Sequence, residues 1–357
     1  MALHFHKLTV KDIRNETDDC VSVAFDVPVH LQNEFIFKHG QNVTIKFAFK
    51  GEEIRRSYSI CNSPLDNELR VAIKKVPNGA FSSFANQKLK KGDVLEILPP
   101  SGSFSTHLNP SFKKDYVFFA AGSGITPIIS IIKTILLTEL KSTVTLLYGN
   151  KTVTSIIFKE QLQALKDKYL QRFSLYHILS RETTETDINF GRIDAEKCQQ
   201  FSKLINYSSV DEFFICGPEQ MIFTVKDFLE GTGIEKNKIH FELFTTPERK
   251  STKHEVKEQG KKEGNNISVK LDGRSFDFIL DYNGTSILDA ALEQGADLPF
   301  ACKGGVCTTC KARLLKGEVE MDVNYGLEQE EIEAGFILTC QSHPKSKNVV
   351  IDFDTKS

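Results

Sequence analysis

Four cysteines near the C-terminal end of this 357-residue sequence have the spacing of a metal centre. Cys302, Cys307 and Cys310 form a C-x4-C-x2-C pattern on a glycine-containing loop, and Cys340 follows at a distance. Three thiolates from one loop and a fourth from elsewhere are the ligands of plant-type [2Fe–2S] clusters. A tetrahedral zinc site is the alternative, but such sites favour two short C-x2-C pairs and this loop has one. The spacing therefore favours a [2Fe–2S] cluster.

A glycine turn earlier in the chain has the features of a nucleotide site. Gly122 and Gly124 follow the apolar segment YVFFAA and precede a predicted helix. Glycine permits the close approach of a pyrophosphate, whose charge is favoured at a helix N-terminus. We expect Thr126 to cap that helix and Pro127 to occupy its first position. An ordinary strand-to-helix turn remains the alternative, because the third glycine of the dinucleotide fingerprint is absent.

A second possible nucleotide site lies in the first third of the chain. Arg56 and Tyr58, followed by Ser59, provide a fork of donors suited to phosphate and a flat ring suited to stacking. Gly79 and Ser82, at a predicted helix start, could donate to a second phosphate. Taken alone, these residues could equally be ordinary strand positions and a simple helix cap.

The segments between these motifs indicate how they are positioned. Up to about residue 110, short alternating strands rich in Val and Ile predict an antiparallel barrel, interrupted by one helix at Phe81–Gln87. From Tyr116 onward, strands alternate with helices predicted at Ile128–Glu139, Ile156–Lys168 and Glu219–Glu230. That alternation is typical of a parallel sheet covered on both faces.

A charged and polar segment separates this region from the cysteine loop. Residues 247–264 contain Val256 as their single aliphatic side chain, so they predict a flexible linker, with a solvated helix as the alternative. After it come a hairpin-like pair around Asp272–Gly273, a short helix, the cysteine loop and a terminal strand. The predicted division is 1–110, 111–246, the linker 247–264, and 265–357.

The overall charge and hydropathy exclude several classes of partner. Lys and Arg number 45 and Asp and Glu 47, so the net charge of −2 argues against binding to nucleic acid. The most apolar stretch, Tyr116–Leu137, is interrupted by glycine, proline and lysine, which argues against a membrane span. We expect a cytoplasmic protein whose eight cysteines are reduced thiols or metal ligands, because no apolar signal sequence follows the N-terminal charges.

In this order the motifs resemble the ferredoxin-NADP reductase family, whose members carry R-x-Y-[ST], then G-x-G-x-x-P, then C-G-P. The last element is present as Cys216-Gly217-Pro218. The resemblance extends over the whole chain, with a plant-type ferredoxin fused at the C-terminus. It implies a multidomain fold with an antiparallel β-barrel flavin domain, an α/β parallel-sheet nucleotide domain and an α+β, β-grasp [2Fe–2S] domain.

The resemblance also implies roles for individual residues. For FAD it implies Arg56 at the pyrophosphate, Tyr58 stacked on the isoalloxazine, Ser59 near the reactive nitrogen, and Gly79 and Ser82 at the phosphates. For the nicotinamide nucleotide it implies Gly122, Gly124 and Thr126 along the nucleotide, Cys216 and Gly217 near the nicotinamide, and Ser180 and Arg181 at a 2′-phosphate. NADPH is therefore the expected donor, although Glu182 leaves NADH possible. What covers the flavin stays open, because the FELF segment at 241–244 continues into the linker.

These cofactors define an expected function. NAD(P)H supplies two electrons as a hydride, a [2Fe–2S] cluster accepts one, and a flavin handles either number, so FAD lies between them. The resemblance implies a di-iron oxygenase that epoxidises phenylacetyl-CoA as the electron acceptor. Another oxygenase, a hydroxylase or a fatty-acid desaturase is the alternative, and a non-enzymatic iron–sulfur redox sensor is a different class. Residues 265–357 carry a charge of −6 and the rest +4, so electrostatic docking that weakens at high salt is a further hypothesis.

Overall fold

The computed structural model describes residues 4–244, 264–282 and 284–355. These residues form three domains, each with its own sheet, which we call the barrel domain, the parallel-sheet domain and the C-terminal domain. The predicted linker, apart from Gly264, lies outside the described residues. Within the described part of the chain, none of the helices has the length and apolar character needed to cross a membrane.

The barrel domain consists of six antiparallel strands in the order β4-β3-β6-β1-β2-β5. Their bounds are β1 His6–Thr17, β2 Cys20–Asp26, β3 Asn42–Phe49, β4 Glu52–Ser59, β5 Leu69–Lys74 and β6 Val94–Ile97. A bridge between Ile60, just after β4, and Val71 in β5 joins the two ends of the sheet. Helix α1, Ala80–Gln87, packs beside the strands through Phe81. The antiparallel barrel with one helix is as predicted.

The parallel-sheet domain has five strands in the order β11-β10-β7-β8-β9, all parallel. Its strands are β7 Asp115–Ala121, β8 Thr143–Asn150, β9 Phe173–Leu179, β10 Glu212–Cys216 and β11 Ile239–Glu242. Its helices are α2 Ile125–Thr138, α3 Lys159–Lys168, α4 Ala195–Phe201 and α5 Glu219–Gly231. Side chains of β7 alternate between two cores, since Phe118 faces one and Phe119 the other. Ligands of such sheets bind where the strand order reverses, which here is at the carboxyl ends of β7 and β10.

Helix α1 begins one residue before its predicted start, and two other helices begin three residues away from theirs. Helix α2 begins at Ile125, three residues before the predicted start, and Gly124 is its N-cap. The expectations that Thr126 caps this helix and that Pro127 is its first residue are therefore wrong, since Pro127 is the third helical residue. Thr126 is the second helical residue, and its hydroxyl donates to the carbonyl of Ser123 at 3.0 Å. Helix α3 begins at Lys159, later than the predicted start at Ile156. The reason is the left-handed φ of 61° at Phe158, which interrupts the helical backbone between these two residues.

The C-terminal domain is a small mixed sheet in the order β13-β12-β18-β14-β16, with a separate β15-β17 pair. Its strands are β12 Asn265–Leu271, β13 Arg274–Leu280, β14 Lys311–Lys316, β15 Val319–Met321, β16 Phe336–Leu338, β17 Ser342–Pro344 and β18 Asn348–Asp352. The β12–β13 hairpin turns at Asp272 and Gly273, both with positive φ. Helix α6, Ile287–Glu293, contributes Ile287 and Leu288 to the core, and α7 spans Gln329–Glu333. The sheet with its packed helix matches the predicted β-grasp arrangement.

Candidate redox site

A cavity of about 360 Å³ lies where the three domains meet. Its wall includes Arg56, Ser57 and Ser59 from β4, Glu242 and Phe244 from the end of the parallel-sheet domain, and Cys302 and Cys307 from the cysteine loop. Two groups of predicted site residues, which are about 245 positions apart in sequence, therefore face the same space. The cavity joins the proposed flavin motif directly to the proposed cluster ligands.

The proposed flavin motif places its side chains in two environments. Arg56 is exposed, lines the cavity and donates to the carbonyl of Arg55 at 2.7 Å. Tyr58 packs in the barrel core with its ring 5.7 Å from that of Phe81. Burial raises the pKa of the Tyr58 hydroxyl, so this residue stays neutral. Ser59 is buried, and its hydroxyl donates to Glu242 Oε2 at 3.4 Å.

Gly79 and Ser82 lie at the N-terminus of α1, beside the Phe81 ring. Gly79 is the N-cap residue, and a Cβ there would lie 2.3 Å from Ser82 Oγ. The Ser82 hydroxyl is already used inside this turn, because it accepts from the Val76 N–H at 3.3 Å and donates to the Gly79 carbonyl at 3.4 Å. The turn is therefore closely packed around Gly79, and the hydrogen bonds of Ser82 stabilise its conformation.

The two loops of the proposed nicotinamide site touch through their backbones. A Cβ on Gly124 would lie 2.0 Å from the Cys216 carbonyl oxygen and 2.7 Å from the Gly217 nitrogen. Gly122 has a positive φ of 54°, which favours glycine. Cys216 is fully buried beside Glu242, its partner in the β10–β11 register, and burial raises the pKa of its thiol. Cys216 is therefore a neutral thiol at physiological pH.

The proposed 2′-phosphate residues lie at the carboxyl ends of β8 and β9. Ser180 donates to the Asn150 carbonyl through both its backbone N–H, at 3.0 Å, and its hydroxyl, at 3.3 Å. Arg181 is exposed, and its N–H donates to the carbonyl of the equally exposed Lys151 at 2.9 Å. The Glu182 side chain is directed toward Val153, whose backbone N–H donates to its carboxylate at 2.7 Å. The surface here presents two cations.

The four cysteines of the proposed cluster site lie close together in the C-terminal domain. The Cys307 thiol donates to Cys302 Sγ at 3.1 Å, and the Cys340 thiol also bonds to Cys302. The backbone N–H of Gly304 donates to the same sulfur at 3.3 Å. These donors, with the N–H of Val306, hold the pKa of the Cys302 thiol well below its ordinary value. Cys302 thus acts as an acceptor at the centre of a group of thiols.

The cysteine loop has the backbone shape that such a site requires. Lys303 and Gly305 have positive φ values of 52° and 74°, and Cys307, Cys310 and Cys340 are buried. Thiolates bound to one tetrahedral metal through bonds of about 2.3 Å lie about 3.8 Å apart, farther than the 3.1 Å contact between these thiols. The fit of the site therefore rests on the donor set, because four soft thiolates match an iron–sulfur cluster.

Comparison with known families gives each domain an assignment. Residues 7–106 match the oxidoreductase FAD-binding domain, residues 118–227 the oxidoreductase NAD-binding domain, and residues 269–345 the 2Fe-2S iron-sulfur cluster binding domain. The chain is 46% identical to one of the subunits of the 1,2-phenylacetyl-CoA epoxidase of Escherichia coli, an alignment that covers 99% of this chain and 98% of that protein. The chain belongs to the reductase components of oxygenase systems.

Two other proteins align with the reductase over nearly its whole length. It is 33% identical to the ferredoxin reductase component of 3-ketosteroid-9-alpha-monooxygenase from Rhodococcus rhodochrous, over 97% of this chain and 96% of that one. Its fold resembles phthalate dioxygenase reductase, with a TM-score of 0.59, 23% identity and 98% of each chain covered. FAD, a [2Fe–2S] cluster and a nicotinamide nucleotide are its cofactors, as predicted, and the redox-sensor alternative is set aside.

Two residues of the reductase's cavity were not singled out from the sequence. Glu242 is enclosed at the cavity wall, and burial raises the pKa of its carboxyl group from 4.5 to about 8. Phe244 lines the same cavity with 40% of its surface exposed, which places an aromatic ring beside the proposed flavin site. Both lie in FELF, the segment that the sequence left unexplained. The signal in the sequence was its position at the end of the parallel-sheet region, shortly before the predicted linker.

Proposed function

We propose that this reductase delivers electrons to a di-iron oxygenase that epoxidises phenylacetyl-CoA. The observation that supports this acceptor is the 46% identity, over nearly the full length of both chains, to one component of a 1,2-phenylacetyl-CoA epoxidase. A steroid oxygenase is the second candidate, because the reductase component of one aligns over nearly the whole chain at 33% identity.

Within that function we assign FAD to the cavity and to the adjoining turn of α1. Arg56 would bind the pyrophosphate, Tyr58 and Ser59 would contact the isoalloxazine, and Gly79 and Ser82 would line the phosphates. When bound, FAD would accept two electrons as a hydride and release them one at a time. The cavity supports this placement, because one wall carries the β4 motif and the opposite wall carries Cys302 and Cys307. The same proposal makes Cys302, Cys307, Cys310 and Cys340 the cluster ligands.

We assign the nicotinamide nucleotide to the crevice between β7 and β10. Gly122, Gly124 and Thr126 would lie along the nucleotide, with Cys216 and Gly217 near the nicotinamide. Ser180 and Arg181 would bind the 2′-phosphate, which makes NADPH the preferred donor. Two exposed cations, Lys151 and Arg181, support this preference, and Glu182 is held by the Val153 N–H. We also propose a cytoplasmic location, because none of the eight cysteines, all of which lie within the described residues, is paired in a disulfide, as is usual in a reducing compartment.

Reconstitution tests the proposal. The loaded reductase is mixed with a phenylacetyl-CoA oxygenase component, oxygen, and either NADPH or NADH, and loss of phenylacetyl-CoA is measured. We expect oxygen-dependent turnover, faster with NADPH. The Cys307→Ser variant serves as the matched control, since it should accept hydride at the flavin yet support no turnover. A different result would favour the second candidate. In that case NADPH would reduce the cluster without turnover of phenylacetyl-CoA, and the reductase would support turnover by a steroid oxygenase.

A further inference from the structure

One buried arginine of the barrel domain contacts the segment that leads into the cysteine loop. Arg55 is only 7% exposed and donates from Nη1 to the Leu298 carbonyl at 3.0 Å. Its Nη2 donates to Asp297 Oδ1 at 3.3 Å, and the guanidinium carbon lies 4.2 Å from the centre of the Phe300 ring. The first cluster cysteine follows two residues later, at Cys302.

This contact fixes the cysteine loop relative to the flavin site, because a single strand carries both. Arg55 is the residue before Arg56 on β4, and Arg56 donates to its carbonyl. Displacement of β4 would therefore move the flavin motif and the Arg55 contact together. A buried guanidinium also requires partners. Glu53 of the barrel domain accepts a hydrogen bond from Arg55 Nε at 2.6 Å. The C-terminal domain supplies the Leu298 carbonyl, the Asp297 carboxylate and the Phe300 ring.

A second contact across the same interface supports this alignment. The hydroxyl of Thr44, on the neighbouring strand β3, lies 3.2 Å from that of Ser57 and 3.3 Å from that of Thr309. Ser57 lines the cavity, and Thr309 also bonds to the Cys307 thiol. A continuous series of hydrogen bonds thus runs from the cavity wall across the domain boundary to a cluster cysteine.

We propose that Arg55 is a positioning residue that holds the C-terminal domain in the orientation where the cluster cysteines face the flavin cavity. The step that it serves moves one electron from the reduced flavin to the cluster, so that the flavin is oxidised by one electron and the cluster reduced by one. Arg55 takes no part in hydride transfer from the nucleotide. The proposal does not depend on which oxygenase receives the electrons.

The test is an anaerobic rapid-mixing experiment on the fully loaded reductase with NADPH. Flavin bleaching reports hydride transfer, and cluster bleaching reports the later electron transfer. In Arg55→Ala we expect cluster reduction to slow by about tenfold or more, since a buried hydrogen bond to a charged group is lost, while flavin bleaching stays within about twofold of wild type. Arg55→Lys should show an intermediate rate, because a lysine keeps the charge and loses the planar fork.

Two further variants separate positioning from general damage. Arg14→Ala removes an exposed arginine of the same barrel, which pairs with Asp12 inside that domain, and should leave both rates unchanged. Phe300→Leu removes the ring under the guanidinium without touching the barrel domain, and should also slow cluster reduction selectively. This variant keeps the test decisive if Arg55→Ala fails to load its cofactors.

A structural readout that does not depend on turnover completes the test. Amide hydrogen exchange over residues 297–301 should be faster in Arg55→Ala than in wild type, because loss of the contact favours local opening. Wild-type cluster reduction in fully loaded Arg55→Ala and Phe300→Leu would overturn the proposal. Equal slowing of flavin and cluster bleaching in both variants would also overturn it, since it would place Arg55 in the flavin site itself.

Discussion

Glu242 is a carboxyl group in a place where a negative charge is unfavourable. It is half-buried at the cavity wall beside Cys216 and Ser59, and the hydrogen bond from Ser59, at 3.4 Å, only partly offsets the loss of water. The neutral acid is therefore preferred up to a pH of about 8. This residue can hold a proton next to the proposed flavin site, within reach of the Ser59 hydroxyl.

Replacing Glu242 by glutamine should remove a pH dependence of stability. The folded-state pKa of about 8 lies above the ordinary 4.5, so the folded state holds the proton more tightly than the unfolded state does. Raising the pH through this window therefore lowers the free energy of unfolding. Glu242→Gln should match wild type in thermal midpoint near pH 4.5 and exceed it increasingly up to pH 8. The full difference is at most about 5 kcal/mol, at 1.36 kcal/mol per pH unit.

Thermal unfolding at a series of pH values measures this difference. The exposed Glu185 provides the matched control, since Glu185→Gln should differ from wild type by the same small amount at every pH. A constant offset for Glu242→Gln would contradict the expected buried proton.

The proposed cluster ligands and Glu242 differ in how readily they can be recognised from the sequence. Cys302, Cys307 and Cys310 share one loop, so their spacing alone predicts a site. Glu242 has no such pattern, because a lone glutamate at the end of a strand acquires its chemistry only from the residues that pack around it. Arg55 is similar, since the partners that bury it lie 242 and 243 positions away in the chain.

Among the elements, the loops after β7 and β10 depend on each other for their shape. Gly124 approaches the Cys216 carbonyl so closely that an added methyl group would lie 2.0 Å from that oxygen. Because the obstacle is backbone, a side-chain rotation cannot relieve it. The two loops that form the proposed nicotinamide site therefore require glycine at this position.

Gly124→Ala should disturb the nucleotide site and destabilise the parallel-sheet domain by about 1–3 kcal/mol, the usual range for overpacking. We expect affinity for NADP⁺ to fall by about tenfold, one step of 1.4 kcal/mol, as the two loops separate. Nucleotide titration and thermal unfolding measure the two effects. Gly231→Ala is the matched control, because a methyl group there meets open space at the end of α5. Equal affinity in both variants would contradict the close-approach argument.

Much of the strand and helix order was predictable because hydrophobic periodicity and turn residues are local signals, but helix α4 and strands β11 and β14–β17 were not predicted. The β12–β13 hairpin around Asp272–Gly273 and the parallel strands from Tyr116 onward are examples of the predicted order. Helix starts were less predictable. At α2 the glycine turn runs directly into the helix, and at α3 the left-handed Phe158 delays it. Both depend on backbone angles that neighbouring loops impose.

For the whole molecule, the arrangement of the domains could not be predicted from sequence. Motif order implies which cofactor each domain holds, but the shared cavity arises from residues of all three domains. The charges of +4 and −6 predicted only that the C-terminal domain would be attracted to the rest of the chain. Several of the contacts are uncharged, such as the Thr44–Thr309 hydroxyls and the Phe223 and Tyr325 rings 6.0 Å apart, and the Arg55–Asp297 and His4–Asp272 ion pairs accompany them.

Those contacts predict a weak effect of salt on cluster reduction within the reductase. Salt screens exposed charges, whereas Arg55 is buried and its bond to the Leu298 carbonyl involves a neutral partner. Two exposed groups at this boundary belong to the screened class, namely the Asp297 carboxylate, 87% exposed, and the His4–Asp272 pair at 3.0 Å. Between about 0.05 and about 0.5 M salt we expect cluster bleaching by NADPH to slow by less than about threefold. A steep fall would show instead that the opposite net charges of the domains hold the interface together, so that Asp297→Asn would then slow cluster reduction as much as Arg55→Ala.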